Sequence, residues 1–411
     1  MSSPTTYVGT TQGRFNATHN KKENYAMSEF DDIRPYDDAE VPAVIARLIA
    51  DSEFIDLLLS RKAPLLAKLC PWLIRPFIRY GLRKLSKDMR TVNDLQLHMT
   101  EALKNVLDAT TDGYSFGGLD NLDPSKAALF MSNHRDIALD PAMVCLGLLM
   151  AGQESVRIAI GDNLLSKPFA ADLMRVNRSF IVKRSETSRR GKLEALKKLS
   201  RYIRHSISQE QVSIWIAQAE GRAKNGCDRT ETALLKMLAL SKREGQDFAA
   251  AIGELNLIPV SISYEYDPCD ADKARELYSA EQGTAYVKKE FEDLDTIQKG
   301  ILGFKGRIHV NFGQPVGGSF ENADALAAEV DRQIFSHYQL FPTNIIAWQM
   351  QGNTDVLDKL EELQQQWPDE DWSNAQASFE SHLSQIPADH RQIVIDAYAA
   401  PVDNQLAHQS K

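Results

Sequence analysis

AALFMSNHRDIALDP, residues 127–141, is the stretch of the chain that decides its fold. Its apolar start, residues 127–131, predicts a short buried strand that ends just before His134. Asp140 and Pro141 then open an apolar run, and this pair is typical of a helix start with the Asp as its cap. Open α/β sheets usually bind ligands at the carboxyl ends of such strands. We therefore expect an α/β sheet with a functional site at this strand-to-helix turn.

The turn contains one histidine and two carboxylates, at His134, Asp136 and Asp140. An imidazole that a carboxylate holds in place is a general base able to take a proton from an alcohol. The same residues also have a structural interpretation, because Asp before Pro is common at helix starts and a histidine in a turn often only stabilises it. The turn by itself leaves both interpretations open.

The composition is that of an ordinary globular protein, since 43% of the 411 residues are hydrophobic and 25% are charged. The net charge of -9 argues against a general nucleic-acid binder. Four cysteines are scattered without a paired spacing, so we predict no disulfide framework, no metal site and a reducing compartment.

Residues 61–87 differ from the rest of the chain, because they contain eight Lys or Arg and no Asp or Glu. Aromatic and aliphatic residues alternate with these cations, which is typical of a helix lying in an anionic bilayer interface. Pro71 and Pro76 should break that helix into short pieces. The other interpretation is a pair of core helices whose Lys and Arg side chains extend to the surface.

The longest apolar stretch, residues 141–152, is too short to predict a transmembrane helix. The first residues also lack the apolar core of a secretory signal. We therefore expect a peripheral protein on the cytoplasmic face of a membrane.

Four regions follow from these patterns. Residues 1–26 contain few large apolar side chains and are predicted to be disordered. Residues 27–112 form a helical region that contacts the membrane interface, and residues 113–317 form the α/β domain. Residues 318–411 read as a helical C-terminal extension.

Within the α/β region, runs typical of strands alternate with runs typical of helices. Six strands are predicted, at residues 127–131, 156–160, 179–183, 212–217, 257–263 and 307–312. The helices between them are predicted at residues 140–150, 164–175, 189–207 and 230–240. The fold class is therefore α/β, with a mixed, largely parallel sheet flanked by helices.

Three other segments stand where predicted strands end or bend: FIVKR at residues 180–184, EGR at 220–222 and IPV at 258–260. Together with NH at residues 133–134, and in this order, they resemble the four sequence blocks of the phospholipid/glycerol acyltransferase superfamily. This superfamily contains the glycerol-3-phosphate and 1-acylglycerol-3-phosphate acyltransferases. The resemblance covers about residues 115–317, where VNFGQPV at 310–316 is similar to the strand and Gly-x-Pro that commonly follow.

The resemblance implies that His134 deprotonates a glycerol hydroxyl, which then attacks a fatty acyl thioester without a Ser or Cys nucleophile. Asp140 would orient the imidazole. This chain departs from the family in one respect, because five residues separate His134 from Asp140 where the family has four. Asp136 therefore stays an alternative partner. The turn and the helix start also offer backbone N–H groups for the oxyanion.

An acceptor that carries a phosphate needs cations, and the planar guanidinium suits phosphate oxygens. The resemblance places Arg222 first, Arg184 second and Lys183 beside them. Glu220 would hold an arginine, and Gly221 would let the backbone approach the ligand. Asn133 and Pro259 belong to the same blocks and are expected to support the site.

The substrates stay open at this level. Lysophosphatidic acid is the favoured acceptor, with glycerol 3-phosphate or another lysophospholipid as alternatives. Acyl-CoA or acyl-ACP would be the co-substrate, and no bound cofactor is expected. The basic run at residues 189–207 predicts a solvated face or a docking surface for acyl carrier protein or the phosphates of CoA. A lipid-surface binding protein without catalysis is the second alternative.

Overall fold

The computed structural model of the protein describes residues 29–62, 71–165, 167–284, 286, 292–317, 320–352 and 357–409. The predicted disorder of residues 1–26 lies outside these residues. A central sheet has seven strands. The strands are β1 Gly113–Gly117, β2 Leu129–Ser132, β3 Arg157–Gly161, β4 Ser179–Val182, β5 Ile214–Ala217, β6 Leu257–Tyr264 and β7 Arg307–Phe312.

The strands follow the order β1-β7-β6-β2-β5-β3-β4, and every neighbouring pair is parallel except β6 and β7. β2 lies in the middle, with Met131 opposite Ile216 on one side and opposite Pro259 on the other. The predicted mixed, largely parallel sheet is therefore confirmed. The turn after β2 lies at the centre of its carboxyl edge.

All six predicted strands are present within two residues of the predicted ends. β1 was not predicted, because its sequence GYSFG has two glycines and no apolar run. β1 forms an edge of the sheet, where it pairs with β7.

Helices surround the sheet and form most of the rest of the described chain. They are α1 Val41–Ala50, α2 Ser52–Lys62, α3 Pro71–Leu85, α4 Val92–Thr110, α5 Leu139–Met150, α6 Pro168–Val176, α7 Arg189–Ser208, α8 Thr232–Leu238, α9 Phe248–Gly253, α10 Asp270–Glu281, α11 Glu292–Leu302, α12 Ala323–Ser336, α13 Pro342–Met350, α14 Leu357–Gln364, α15 Trp372–Ser384 and α16 Arg391–Gln409.

Several of these helices were not predicted, and α10 shows one reason. Its buried residues are Asp270, Lys273 and Ala274, so two charged side chains stand where an apolar stripe would have revealed the helix. α16 contains Pro401 in its interior, which weakens the helical signal.

Two apolar cores lie on opposite faces of the sheet. Leu129 and Met131 of β2 point to one core, which contains side chains of α7, α8 and α12. Phe130 points to the other core, which contains side chains of α4 and α5. This alternation is what a strand buried on both faces requires.

From Pro71 to Leu85 the basic segment is one helix, so the predicted break at Pro76 is wrong. α3 runs from Pro71 to Leu85 with Pro76 inside it. Pro71 opens this helix, where a missing N–H group has little effect. Residues 63–70 of the segment lie outside the described residues.

Candidate functional site

The end of β2 positions His134 through buried hydrogen bonds of the two residues before it. The Ser132 hydroxyl accepts a hydrogen bond from Trp215 Nε1 at 3.0 Å. The Asn133 amide donates to the carbonyl oxygen of Ile262 at 2.9 Å and accepts from the N–H of Ile262 at 2.8 Å. The His134 ring packs edge-on against the Trp215 ring, with centroids 5.6 Å apart. The imidazole is therefore held on a rigid part of the sheet.

Among the described residues, Asp140 is the carboxylate that pairs with His134. Nδ1 of His134 donates to Oδ2 of Asp140 at 2.8 Å, and Asp140 is fully buried. Oδ2 also accepts from the N–H groups of Arg135 and Asp136, and Oδ1 accepts from the Tyr264 hydroxyl at 2.8 Å. Because the N–H group at Nδ1 donates its hydrogen bond to this carboxylate, the other ring nitrogen, Nε2, is left to accept a proton.

Tyr264 is a buried donor to this carboxylate. Burial and the charge of Asp140 raise the pKa of Tyr264 well above its usual value, so its hydroxyl stays protonated. Tyr264 was not predicted as a site residue, and its only signal in the sequence was its place at the end of a strand that runs beside β2.

Asp136 caps the following helix. Its Oδ1 accepts from the N–H of Ala138 at 2.9 Å and of Leu139 at 2.7 Å. Burial, together with the neighbouring Asp140, raises the pKa of Asp136 above its usual value. The expectation that Asp140 is the cap is therefore wrong, since α5 begins at Leu139 and Asp140 lies in its first turn.

A cavity of about 1090 Å³ passes over the carboxyl ends of β3 and β5, and His134 lines it. One arm of the cavity lies on the α4 and α5 face of the sheet, where its wall is apolar and includes Leu103, Cys145 and Leu146. A second arm lies on the opposite face, where its wall includes Leu199, Leu234 and Met237 from α7 and α8. These are called the first arm and the second arm below.

The three predicted cations all line this cavity, with different surroundings. Arg184 lies 3.3 Å from the Glu220 carboxylate. Arg222 is half-buried, and its buried Nη1 has no hydrogen-bond partner among the described residues. Lys183 pairs with Asp32, which also pairs with Lys198. Of these three cations, Arg222 is therefore the one with a buried nitrogen that no described protein group satisfies.

Gly161 and Asp162, at the end of β3, help to place Arg184, and neither was predicted as a site residue. Asp162 accepts hydrogen bonds from the backbone N–H groups of Arg184 and Ser185 and from the Ser185 hydroxyl. Burial would raise the pKa of Asp162, but these hydrogen bonds lower it below its usual value. A Cβ on Gly161 would lie 2.4 Å from Asn163 Oδ1 and 3.2 Å from the Arg184 guanidinium. Gly161 therefore makes room for Arg184.

The remaining predicted residues occupy two kinds of position. Glu220 and Gly221 line the cavity, and Gly221 adopts a φ of 80° that favours glycine. Pro259 lies within β6, where its carbonyl accepts from the N–H of Gly313 at 2.8 Å, and Asn133 is buried beneath His134. These last two residues support the sheet edge and are not part of the cavity wall as described.

Comparisons with known proteins give one family match and a similar solved structure. The family model described as Acyltransferase matches residues 114–263, a range that includes all four sequence blocks. No curated protein matches the chain. One similar solved structure is the 1-acyl-sn-glycerophosphate (LPA) acyltransferase PlsC from Thermotoga maritima, with 11% identity and a TM-score of 0.34 over 64% of this chain and 89% of that chain. Residues 114–263 thus match the Acyltransferase family, and this match supports an O-acyltransferase domain of the phospholipid/glycerol acyltransferase superfamily in this part of the chain.

Proposed function

We propose that this enzyme transfers a fatty acyl group from an acyl thioester to the free hydroxyl of 1-acylglycerol 3-phosphate, in phospholipid biosynthesis, with His134 as the general base. The observation that carries the proposal is the 2.8 Å hydrogen bond from His134 to the buried Asp140, on the wall of a large cavity that Arg184 and Arg222 also line. One cavity is thus lined by the proposed base, by the proposed anion-binding cations and by apolar side chains.

The chemistry follows from the position of Nε2. This nitrogen accepts the proton of the acceptor hydroxyl while its oxygen attacks the thioester carbonyl carbon. The C–S bond then breaks, and the imidazolium returns the proton to the leaving thiolate. Asp140 stabilises the imidazolium and keeps its tautomer.

Most backbone N–H groups of the turn already donate to carboxylates, so the oxyanion of this reaction needs other hydrogen-bond donors. The N–H groups of Arg135 and Asp136 donate to Asp140, and those of Ala138 and Leu139 donate to Asp136. These four N–H groups already donate to the two carboxylates. The sequence-based expectation was that the turn and the helix start would supply the oxyanion donors.

The shape of the cavity favours a lysophospholipid over glycerol 3-phosphate as the acceptor. The cavity wall includes apolar side chains on both faces of the sheet, and His134 lines the same cavity. One arm accommodates the transferred acyl chain, and the other the acyl chain that the acceptor already carries. Glycerol 3-phosphate would leave one apolar arm without a chain. Arg222 and Arg184 bind the acceptor phosphate.

We propose acyl-CoA or acyl-ACP as the donor. On α7, Lys198 and Arg201 pair with Asp32 and Glu29, and the buried Arg204 pairs with Glu254. Arg189 and Arg190 are exposed, and Lys192 lines the cavity. This N-terminal end of α7 is therefore the part that can receive phosphates of CoA or an acidic carrier protein.

We also propose that the enzyme binds a membrane surface through α3, on the cytoplasmic face. Arg75 pairs with Asp56, and Arg79 donates to the carbonyl oxygen of Ile49, so one side of the helix is held by α1 and α2. The other side exposes Trp72, Phe77 and Tyr80, each about 70% accessible. That exposure argues against the alternative of core-packed helices. Within the described residues, no helix combines the length and hydropathy needed to cross a bilayer.

The test is transfer of a labelled acyl group from acyl-CoA, and separately from acyl-ACP, to lysophosphatidic acid and to glycerol 3-phosphate. His134→Ala should abolish turnover, whereas the exposed His98→Ala serves as a matched control with normal activity. Asp140→Asn should lower kcat by roughly 10²- to 10⁴-fold. Asp136→Asn should keep nearly normal activity, because the Asn oxygen can still accept the hydrogen bonds from Ala138 and Leu139.

Two results would change the assignment. Full activity of Asp140→Asn together with loss of activity in Asp136→Asn would make Asp136 the partner of the base. No turnover on either acceptor, with vesicle binding intact, would point first to another lysolipid acceptor and then to a lipid-binding protein.

A further inference from the structure

A third buried carboxylate, Asp228, lies behind His134 and contacts the residues on both sides of it. Asp228 is 6% exposed. Its Oδ2 accepts a hydrogen bond from Asn133 Nδ2 at 3.2 Å and lies 3.6 Å from Nη1 of Arg135. Because Asn133 precedes His134 and Arg135 follows it, one carboxylate contacts the side chains of the residues on both sides of His134.

The same loop carries Arg222, so Asp228 also connects the base to the anion site. The loop runs from the end of β5 to the start of α8, and the N–H of Ala223 within it donates to the carbonyl oxygen of His134 at 3.0 Å. The loop and the catalytic turn are therefore joined at Ala223 and again at Asp228. A shift at one joint would change the distance between His134 and Arg222.

The C-terminal helices hold this loop from its other side. A Cβ on Gly226 would lie 2.1 Å from the carbonyl oxygen of Ala397 in α16, and Gly226 has a φ of 74°. The N–H and hydroxyl of Thr230 both donate to Asp331 of α12, at 2.8 and 2.6 Å. The loop thus lies against α16 at Gly226 and is hydrogen-bonded to α12 at Thr230, and Asp228 lies between these two positions.

Within the described part of the chain, the Asp228 cluster leaves buried polar atoms without hydrogen-bond partners, so a contribution to folding stability does not explain it. Nε of Arg135 and Oδ1 of Asp228 are both buried and have no hydrogen-bond partner among the described residues. A buried ion pair adds little net stability unless its remaining hydrogen-bonding groups are satisfied. Its better use is to define the orientation of the groups that it contacts.

We propose that Asp228 is a positioning residue that holds the His134 turn in register with the Arg222 loop. This inference rests on the proposed role of His134 as the base. A misplacement of about 1 Å by a change outside the reacting groups can lower the rate about 10²-fold. Asp228→Asn keeps the size of the side chain and removes the charge that faces Arg135.

The experiment compares Asp228→Asn with Thr230→Val, which removes a buried hydrogen bond from the same loop without touching the catalytic turn. We expect Asp228→Asn to lower kcat by roughly 10- to 100-fold, with the KM for the acyl donor unchanged. Thr230→Val should keep kcat within about twofold of wild type. Equal kcat values for the two variants would overturn the proposal.

Hydrogen exchange followed by mass spectrometry gives a readout that needs no substrate. In Asp228→Asn, the backbone amides of residues 133–140 should exchange faster than in wild type and in Thr230→Val. Unchanged exchange there would overturn the positioning role even if the proposed acceptor were wrong. Faster exchange in a protein with no wild-type turnover would support positioning and count against the proposed function only.

A second variant covers the case in which Asp228→Asn does not fold. Asp228→Asn combined with Arg135→Gln removes both charges, so that no unpaired charge is left buried. Loss of kcat in this folded double variant, with faster exchange in the turn, would support the proposal. Wild-type kcat in the double variant would overturn it.

Discussion

Asp136 and Asp140 are chemically the same, and their surroundings give them different tasks. In an α-helix each Cα–Cβ bond tilts toward the N-terminus. Because α5 begins at Leu139, the side chain of Asp140 in its first turn points back toward His134. The longer spacing between His134 and Asp140 is thus absorbed by starting the helix one residue before the carboxylate.

A substitution of the single residue Gly161 tests the proposed anion site. Gly161→Ala should displace Asn163 and the Arg184 guanidinium, since the added methyl would lie 2.4 and 3.2 Å from them. We expect the apparent KM for the phosphorylated acceptor to rise by roughly 10-fold, as after loss of about 1.4 kcal/mol of uniform binding, with kcat nearly unchanged.

Gly253→Ala is the matched control, because a Cβ at that position meets no atom within 4 Å. Steady-state kinetics with varied acceptor would measure both variants. An unchanged KM in Gly161→Ala would argue against a phosphate contact by Arg184.

At the scale of the element, α3 divides its two faces between the protein and the solvent. Arg75 and Arg79 hold one face against Asp56 and the end of α1. Trp72 and Phe77 project from the other face, where Arg83 and Lys84 add positive charge at the C-terminal end. Exposed aromatic rings beside cations match the chemistry of an anionic lipid surface.

Removing these rings should weaken membrane binding. Burial of a large apolar side chain contributes about 1.5–3 kcal/mol, so Trp72→Ala and Phe77→Ala should each weaken binding about 10- to 100-fold. Co-sedimentation with vesicles of phosphatidylglycerol and phosphatidylcholine would measure the effect. Phe304→Ala, which removes an exposed aromatic ring outside α3, is the control. Equal losses in all three variants would exclude α3 as the specific contact.

At the scale of the whole molecule, the C-terminal extension is packed onto the catalytic domain through buried polar groups. The Tyr398 hydroxyl of α16 donates to Asp270 at 3.0 Å and accepts from the N–H of Asp267 at 2.8 Å. Lys273, which pairs with Asp267, donates to the carbonyl oxygen of Arg135 at 2.8 Å. A continuous polar path therefore leads from the last helix to the turn that holds His134.

His382 of α15 makes this packing sensitive to pH. It lies 2.6 Å from Asp270. Burial would lower the pKa of His382, but the hydrogen bond and charge of Asp270, with Asp267 nearby, raise it above its usual value. The protonated form is thus favoured in the folded state, so its stabilisation is complete below about pH 6.5 and is lost as pH rises through the folded pKa.

The comparison of wild type with His382→Gln isolates this effect from other titrating groups. We expect wild type to have the higher Tm at pH 6, by about 2–4 °C, and the difference to shrink toward pH 9. Thermal denaturation followed by circular dichroism at several pH values would measure it. A difference that is constant with pH, or that grows as pH rises, would contradict this role.

Much of the catalytic domain was predictable because its signals are local. Each of the six predicted strands is a short apolar run, and all six occur. The residues around His134, Arg184 and Arg222 stand at strand ends, and the sheet brings them to one cavity because parallel strands end at the same edge. Their roles in the reaction stay predictions until the variants above are measured.

The sequence by itself determined which segments are apolar strands, where the turn lies, and which residues are candidates for the base and the cations. These features can be read from the sequence because periodicity and motif order are properties of neighbouring residues. Only the tertiary structure decided which carboxylate faces His134, that Lys183 is paired with Asp32, and that Asp228 contacts the residues on both sides of His134. Asp228 and His134 are 94 residues apart in the chain, and the contacts between buried polar groups at such separations depend on how the elements pack.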